Sequence, residues 1–257
     1  MSCLFVAWQA PLDRKWFPVG RLTYNGTRFR FVYTKGAGIA HRDCGFQPFG
    51  SFSALDGFYE SAELFPLFAN RVPPTDREDY GDFAQWLNVP RDSADPVAML
   101  ARSGGRRQTD TLELLPCPER DPEGAYHIHF FAHGLRYLSS ESHARISRLK
   151  AGDDLLAALD FQNPHDTRAL ILRTNDAFPG DRFIVGYCPS YLLGDTFELL
   201  TQCPSLSFEV ERLNPPPAPL QFRLLCNMTT CWPKDFRPFS SEEYQPMANG
   251  TKLEAIP

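Results

Sequence analysis

The chain has no apolar run of the roughly 20 residues a membrane-spanning helix needs, so no membrane partner is expected. Its opening residues, Met1-Ser2-Cys3-Leu4-Phe5-Val6, carry no basic segment and reach Gln9 and Asp13 too soon for a secretory signal. A cysteine framework is also missing. Seven cysteines, an odd number at irregular spacings, read as reduced thiols. These absences predict a cytoplasmic protein. Excess positive charge is lacking too: a net charge of −5 excludes a whole-surface attraction to nucleic acid, so any anion site must be local. There is no Gly-rich loop with a downstream Lys, no kinase-type catalytic pair and no nucleophile signature. The expectation is therefore a non-enzymatic protein without a cofactor.

What is present is an α+β pattern in a chain of 257 residues, long enough for two cores. Val19–Tyr24 and Thr27–Tyr33 flank Asn25-Gly26, a strong hairpin signal. Phe29, Phe31 and Tyr33 share one face of the second strand, with Arg28 and Arg30 on the other. Basic residues gather at 14–42 (Arg14, Lys15, Arg21, Arg28, Arg30, Lys35, Arg42) and at Arg102, Arg106 and Arg107. A helix is predicted from Tyr80 to Leu87, stopped before Pro90, and a second begins at Asp95-Pro96 and runs through Ala101. A strand follows at 111–115, and the proline-rich run 116–124 reads as a domain link. Residues 1–118 form the expected first domain, 119–213 a small β-barrel with a short helix, and 214–257 a proline-rich spacer with a C-terminal strand and tail. Within that last part, Asn214–Pro219 is a stiff spacer, Leu220–Met228 a strand that returns to the fold, and the final residues are expected to fray.

The segment from Phe130 to Leu200 is the most informative. It contains Gly134-Leu135-Arg136-Tyr137, then Gln162-Asn163-Pro164-His165-Asp166, then Ile184-Val185-Gly186-Tyr187 leading into a helix. The order of strand, G-x-R-Y turn, strand, Asn-Pro-x-Asp turn, strand and glycine-tyrosine strand resembles the HIRAN domain over residues 126–213. That family is a β-barrel module found on some DNA-remodelling helicases, and its barrel face grips a single-stranded DNA end, here taken as a 3′ end. The resemblance implies DNA-binding roles for Arg136, Tyr137, Gln162, Asn163, His165, Asp166 and Tyr187. An Arg fork can hold a phosphate or a base edge, and a tyrosine ring can stack on an unpaired base. The family usually carries Tyr where this chain has His165, which removes one stacking surface. Asn163 and Asp166 also suit an ordinary turn, because both side chains bond their own backbone; the two readings stand side by side.

The first part resembles the N-terminal subdomain of HipA-type toxin kinases in Gly20-Arg21-Leu22, the aromatic strand 29–33, and Phe65-Pro66-Leu67-Phe68-Ala69-Asn70-Arg71. That subdomain is accessory and carries no catalytic residue. The resemblance implies a bacterial toxin–antitoxin or defence setting, in which the first domain docks on a protein partner, a kinase or a helicase. Such an interaction module is the alternative to DNA-end binding. His127, His129 and His133 suggest a metal, with 127 and 129 on one strand face, but no second cluster with ligand spacing accompanies them, and no metal site is expected.

Overall fold

The computed structural model describes residues 2–253 and 255, apart from residues 13, 90–94, 108, 177–181 and 249. In chain order the elements are β1 (Ser2–Gln9), β2 (Trp16–Tyr24), β3 (Phe29–Tyr33), α1 (Lys35–Cys44), β4 (Phe58–Ser61), α2 (Pro66–Ala69), α3 (Tyr80–Trp86), α4 (Pro96–Ser103) and β5 (Leu112–Pro116). Then come β6 (Ala125–Phe131), α5 (Ser140–Ile146), β7 (Asp154–Leu159), β8 (Leu170–Thr174), β9 (Ile184–Tyr187), α6 (Leu193–Gln202), β10 (Leu206–Leu213), β11 (Leu224–Cys231) and β12 (Lys252–Leu253). The fold is α+β. It divides into two compact units, one made of residues 1–85, 89–117 and 239–257, the other of 86–88 and 118–238. The expected spacer-and-tail segment, 214–257, is thus shared between them.

The first unit is built on a sheet of order β12-β4-β3-β2-β1-β5. The Asn-Gly hairpin forms as expected, with Tyr24 opposite Phe29. Asn25 Oδ1 accepts from the Thr27 and Arg28 amides, at 3.0 and 2.9 Å, and Gly26 takes the positive φ of 98° that the turn requires. Phe31 and Tyr33 face inward, fully buried. The Phe31 ring lies 4.3 Å from Phe52 and 5.8 Å from Phe68. The second predicted helix starts where expected: Asp95 caps it through the Ala98 amide at 2.8 Å, and Gly104 at φ 69° ends it. Pro90, the expected stop of the preceding helix, lies outside the described residues.

Much of the expected tail is held by the first unit, although residues 249, 254, 256 and 257, on which the expectation of fraying also falls, lie outside the described residues. Lys35 N–H donates to the Gln245 carbonyl and Met247 N–H to the Tyr33 carbonyl, both at 2.8 Å. Phe239 and Tyr244 set their rings against Phe5, at 5.3 and 5.0 Å. β12 adds to β4 in parallel. The reason is physical: two aromatic anchors bury apolar area, and an edge strand offers unpaired backbone groups.

The second unit holds an antiparallel sheet of order β6-β11-β10-β7-β8-β9. Along β6, Tyr126, Ile128 and Phe130 turn to the core while His127 and His129 turn away. β11 returns to the fold, as expected, and lies between β6 and β10. It begins only at Leu224, because Leu220–Phe222 form a short 3₁₀ turn after Pro219. The sheet curls until its two edges meet at one point. His133, just past β6, bridges Tyr187 at the end of β9, through backbone bonds of 2.9 and 3.0 Å. The expected barrel is thus a curled sheet joined at one bridge. α5, unforeseen between the G-x-R-Y turn and β7, starts at Ser139, whose side chain accepts from the Ser142 amide.

The reduced-thiol expectation is corrected at one pair. Cys203, capping α6, is bonded to Cys231 at the end of β11, with 5.9 Å between Cα atoms. The pair lies 28 residues apart, so only the fold brings it together. Cys3, Cys44, Cys117, Cys188 and Cys226 are not disulfide-bonded.

Candidate nucleic-acid interface

The G-x-R-Y turn follows directly from its glycine. Gly134 has φ 75°, and a Cβ there would lie 2.8 Å from Tyr187 Cδ2, so a side chain is excluded on two grounds. Leu135 is buried and anchors the 3₁₀ turn Leu135–Tyr137. Arg136 and Tyr137 are thrown outward, with Tyr137 73% exposed. Arg136 Nη2 donates to Tyr137 Oη at 2.6 Å, and the guanidinium carbon sits 4.7 Å from the tyrosine ring centroid. The two side chains therefore form a paired cation and ring on the surface.

The second turn joins β7 to β8. Asp160 N–H donates to the Ala169 carbonyl at 2.9 Å and closes it. Inside, Asn163 Oδ1 accepts from the His165 and Asp166 amides at 3.0 and 3.1 Å, and Asp166 Oδ1 accepts from the Arg168 amide at 2.9 Å. Both residues build the turn. Gln162 and His165, by contrast, are exposed.

Tyr187 joins the two turns. Its backbone makes the bridge to His133, its ring packs under Gly134, and its hydroxyl donates to Asp160 Oδ2 at 3.2 Å. Asp160 also accepts from Asn163 Nδ2 at 3.2 Å. Burial, and then the neighbouring Asp160 carboxylate, raise the Tyr187 pKa above its ordinary value, so the hydroxyl keeps its proton and remains a donor. Arg136, Tyr137, Asn163, Asp166 and Tyr187 thus sit on one connected framework, with Gln162 and His165 on its outer turn.

Sequence reasoning passed over three parts of this framework. Gly134, a turn residue by sequence, is the contact that seats Tyr187. Asp160 is the shared acceptor of both Tyr187 and Asn163. Phe161 is 74% exposed in the middle of a polar turn. An aromatic residue between Asp160 and Gln162, where a turn usually places small polar residues, was the available signal for it.

Other groups are engaged elsewhere. His127 Nε2 lies 2.7 Å from Asp121, and His129 Nε2 is 3.5 Å from Glu211. Among the described residues, no three His, Cys, Asp or Glu gather in a way that could hold a metal ion. A small polar cleft lined by Arg145, Asp153, Asp154, Thr174 and Asp176 is spanned by the two-pronged Arg145–Asp176 contact, at 2.7 and 3.2 Å. Cys188 and Cys226 are fully buried, which pushes their thiols up and leaves them poor nucleophiles. No helix among the described residues is long and apolar enough to cross a membrane.

No family model matches the chain, and no curated protein matches it. Among solved structures the chain is similar to the crystal structure of the HIRAN domain of human HLTF, at 16% identity, covering 48% of this chain and 93% of that one, with a TM-score of 0.31. An overlap that low assigns neither fold nor function. Nothing in these comparisons supports the HipA-type resemblance of the first unit.

Proposed function

We propose that the second unit is a non-enzymatic module that holds the 3′ end of single-stranded DNA at the place where its sheet edges meet. What supports this reading is the convergence through Tyr187. Two turns far apart in sequence, one offering Arg136 and Tyr137 and the other Gln162 and His165, are tied to the same residue, the first beside its backbone bridge to His133 and the second through its hydroxyl bond to Asp160. In this reading Arg136 holds the last phosphodiester, on the 5′ side of the terminal nucleotide, and Tyr137 stacks on the unpaired base. Gln162 and His165 bond the base edge or the sugar hydroxyl, while Asn163, Asp166 and Tyr187 hold the turn that presents them.

The electrostatics set the expected salt response. With one Arg on the phosphate, the salt slope for a single strand is about −0.7, so affinity falls only about threefold between 50 and 200 mM salt. A groove binder of several phosphates loses far more.

The test is fluorescence anisotropy with labelled single strands bearing a free or blocked 3′ hydroxyl, and with a blunt duplex. Binding that needs the free end, and that disappears when Arg136 and Tyr137 are both changed to Ala, is the expected result. Both residues are exposed, so the double variant should stay folded. Absence of binding at low salt, or a double variant that binds as the parent does, would sink the reading.

A further inference from the structure

Six large hydrophobic side chains are exposed among the described residues: Leu12, Tyr137, Leu159, Phe161, Leu200 and Leu220. Three of them, Tyr137, Leu159 and Phe161, belong to the two turns that Tyr187 joins. Leu159 ends β7 at 39% exposure, and Phe161 follows two residues later at 74%. A fully exposed phenyl ring forgoes the gain of burial, and three such groups on turns tied to one residue mark a surface that something covers.

The chemistry around these rings says what that is. Arg136 stands beside Tyr137, and Asp160 and Gln162 stand on either side of Phe161. His165 is exposed on the same turn. A protein–protein contact takes aromatic rings and Arg but is depleted of carboxylates, and Asp160 adjoins Phe161. Flat rings alternating with hydrogen-bonding and charged groups instead suit unpaired bases, each of which has a π-face and a polar edge. Phe161 supplies an aromatic surface two residues before Asn163 in the same turn.

We infer that Phe161 is a second stacking surface, taking the base next to the one held by Tyr137, so that the site reads two successive unpaired nucleotides. This rests on the DNA-end reading above. Phe161 serves as a specificity-determining residue: it gives the site its demand for a second unpaired base, which neither Arg136 nor Tyr137 imposes.

The test pairs variants with abasic oligonucleotides. Phe161→Ala, Phe161→Trp and Tyr137→Ala are each titrated against a single strand with all bases present, and against strands abasic at the last, second-last or third-last position. Loss of one stacked base weakens binding about 5- to 150-fold. Phe161→Ala should show that loss on the complete strand and none on one abasic strand, with Tyr137→Ala silent on a different abasic strand. Phe161→Trp should bind at least as well as the parent. A Phe161→Ala variant that binds every strand as the parent does, or that weakens all strands equally, overturns the inference. If the parent needs Arg136 and Tyr137 but ignores Phe161, only the second stacking surface fails. If the parent binds no strand, the DNA-end reading fails with it, and the exposed rings are left to a protein partner.

Discussion

Replacing Cys203 and Cys231 together by Ser should open the only covalent cross-link among the described cysteines. The bond closes a loop of 28 residues running from the end of α6 through β10 and β11. In the chain-entropy account, cross-linking a loop of that length removes about 12 cal/mol/K from the unfolded chain, or about 3.6 kcal/mol at 25 °C. With a urea dependence of about 2 kcal/mol/M, the unfolding midpoint of the second unit should fall by about 2 M. Hydrogen exchange with mass spectrometry at stepped urea reads this locally, through peptides covering β10 and β11. Thiol titration of the denatured, unreduced protein gives an independent count: five free thiols if the bond is present, seven if it is not. Seven thiols, or a double variant whose β10 and β11 exchange at the same urea as the parent, would refute the reasoning.

Three further outcomes are expected. Gly134→Ala should lower stability by about 2–4 kcal/mol, because it combines a left-handed backbone with a collision on Tyr187 and the loss of its bond to Asp160; urea unfolding measures the cost, and oligonucleotide binding should fall with it. Phe31→Ala should cost the first unit about 3–5 kcal/mol, since the ring is fully buried among Tyr33, Phe52 and Phe68; a loss under about 1 kcal/mol would contradict the packing. Hydrogen bonds from Arg145 hold the Asp176 carboxyl below its ordinary value of 3.8. The stability from this pair is therefore complete above that value and lost as pH falls through the lowered one. An Arg145→Met variant should show a flatter decline in urea midpoint below about pH 4 than the parent.

Local chemistry was legible in the sequence. Asn25-Gly26 predicted a hairpin, which forms through the four-residue loop 25–28 with Gly26 at positive φ, and Asp95-Pro96 predicted a helix start because Asp caps and Pro suits the first turn. The alternation of Tyr126, Ile128 and Phe130 against His127 and His129 likewise follows from the period of a strand. What could not be read was long-range. The meeting of sheet edges at His133 and Tyr187 depends on how far the sheet curls, which no window of residues encodes. The same holds for the Cys203–Cys231 bond, and for the aromatic anchors at Phe239 and Tyr244 in a stretch that reads as a loose tail. At the candidate site, it was the resemblance to the HIRAN pattern that pointed to Arg136 and Tyr137. The roles of Gly134 and Asp160 emerge only from their contacts with Tyr187.

The division of the chain also sets an order of events during synthesis. The first unit draws its strands from residues 2–116 but takes its last strand and its Phe239 and Tyr244 anchors from beyond residue 238. A chain leaving the ribosome exposes β1 to β5 while the whole second unit is still being translated, and domains fold as their residues become available. The second unit therefore has its full complement of strands first. The first unit must wait with β4 unpaired on its outer side and Phe5 uncovered, a nascent intermediate with an open strand edge. A permuted gene that encodes residues 239–255 ahead of β1 would remove that wait, and its yield of folded protein without chaperones should rise relative to the natural order.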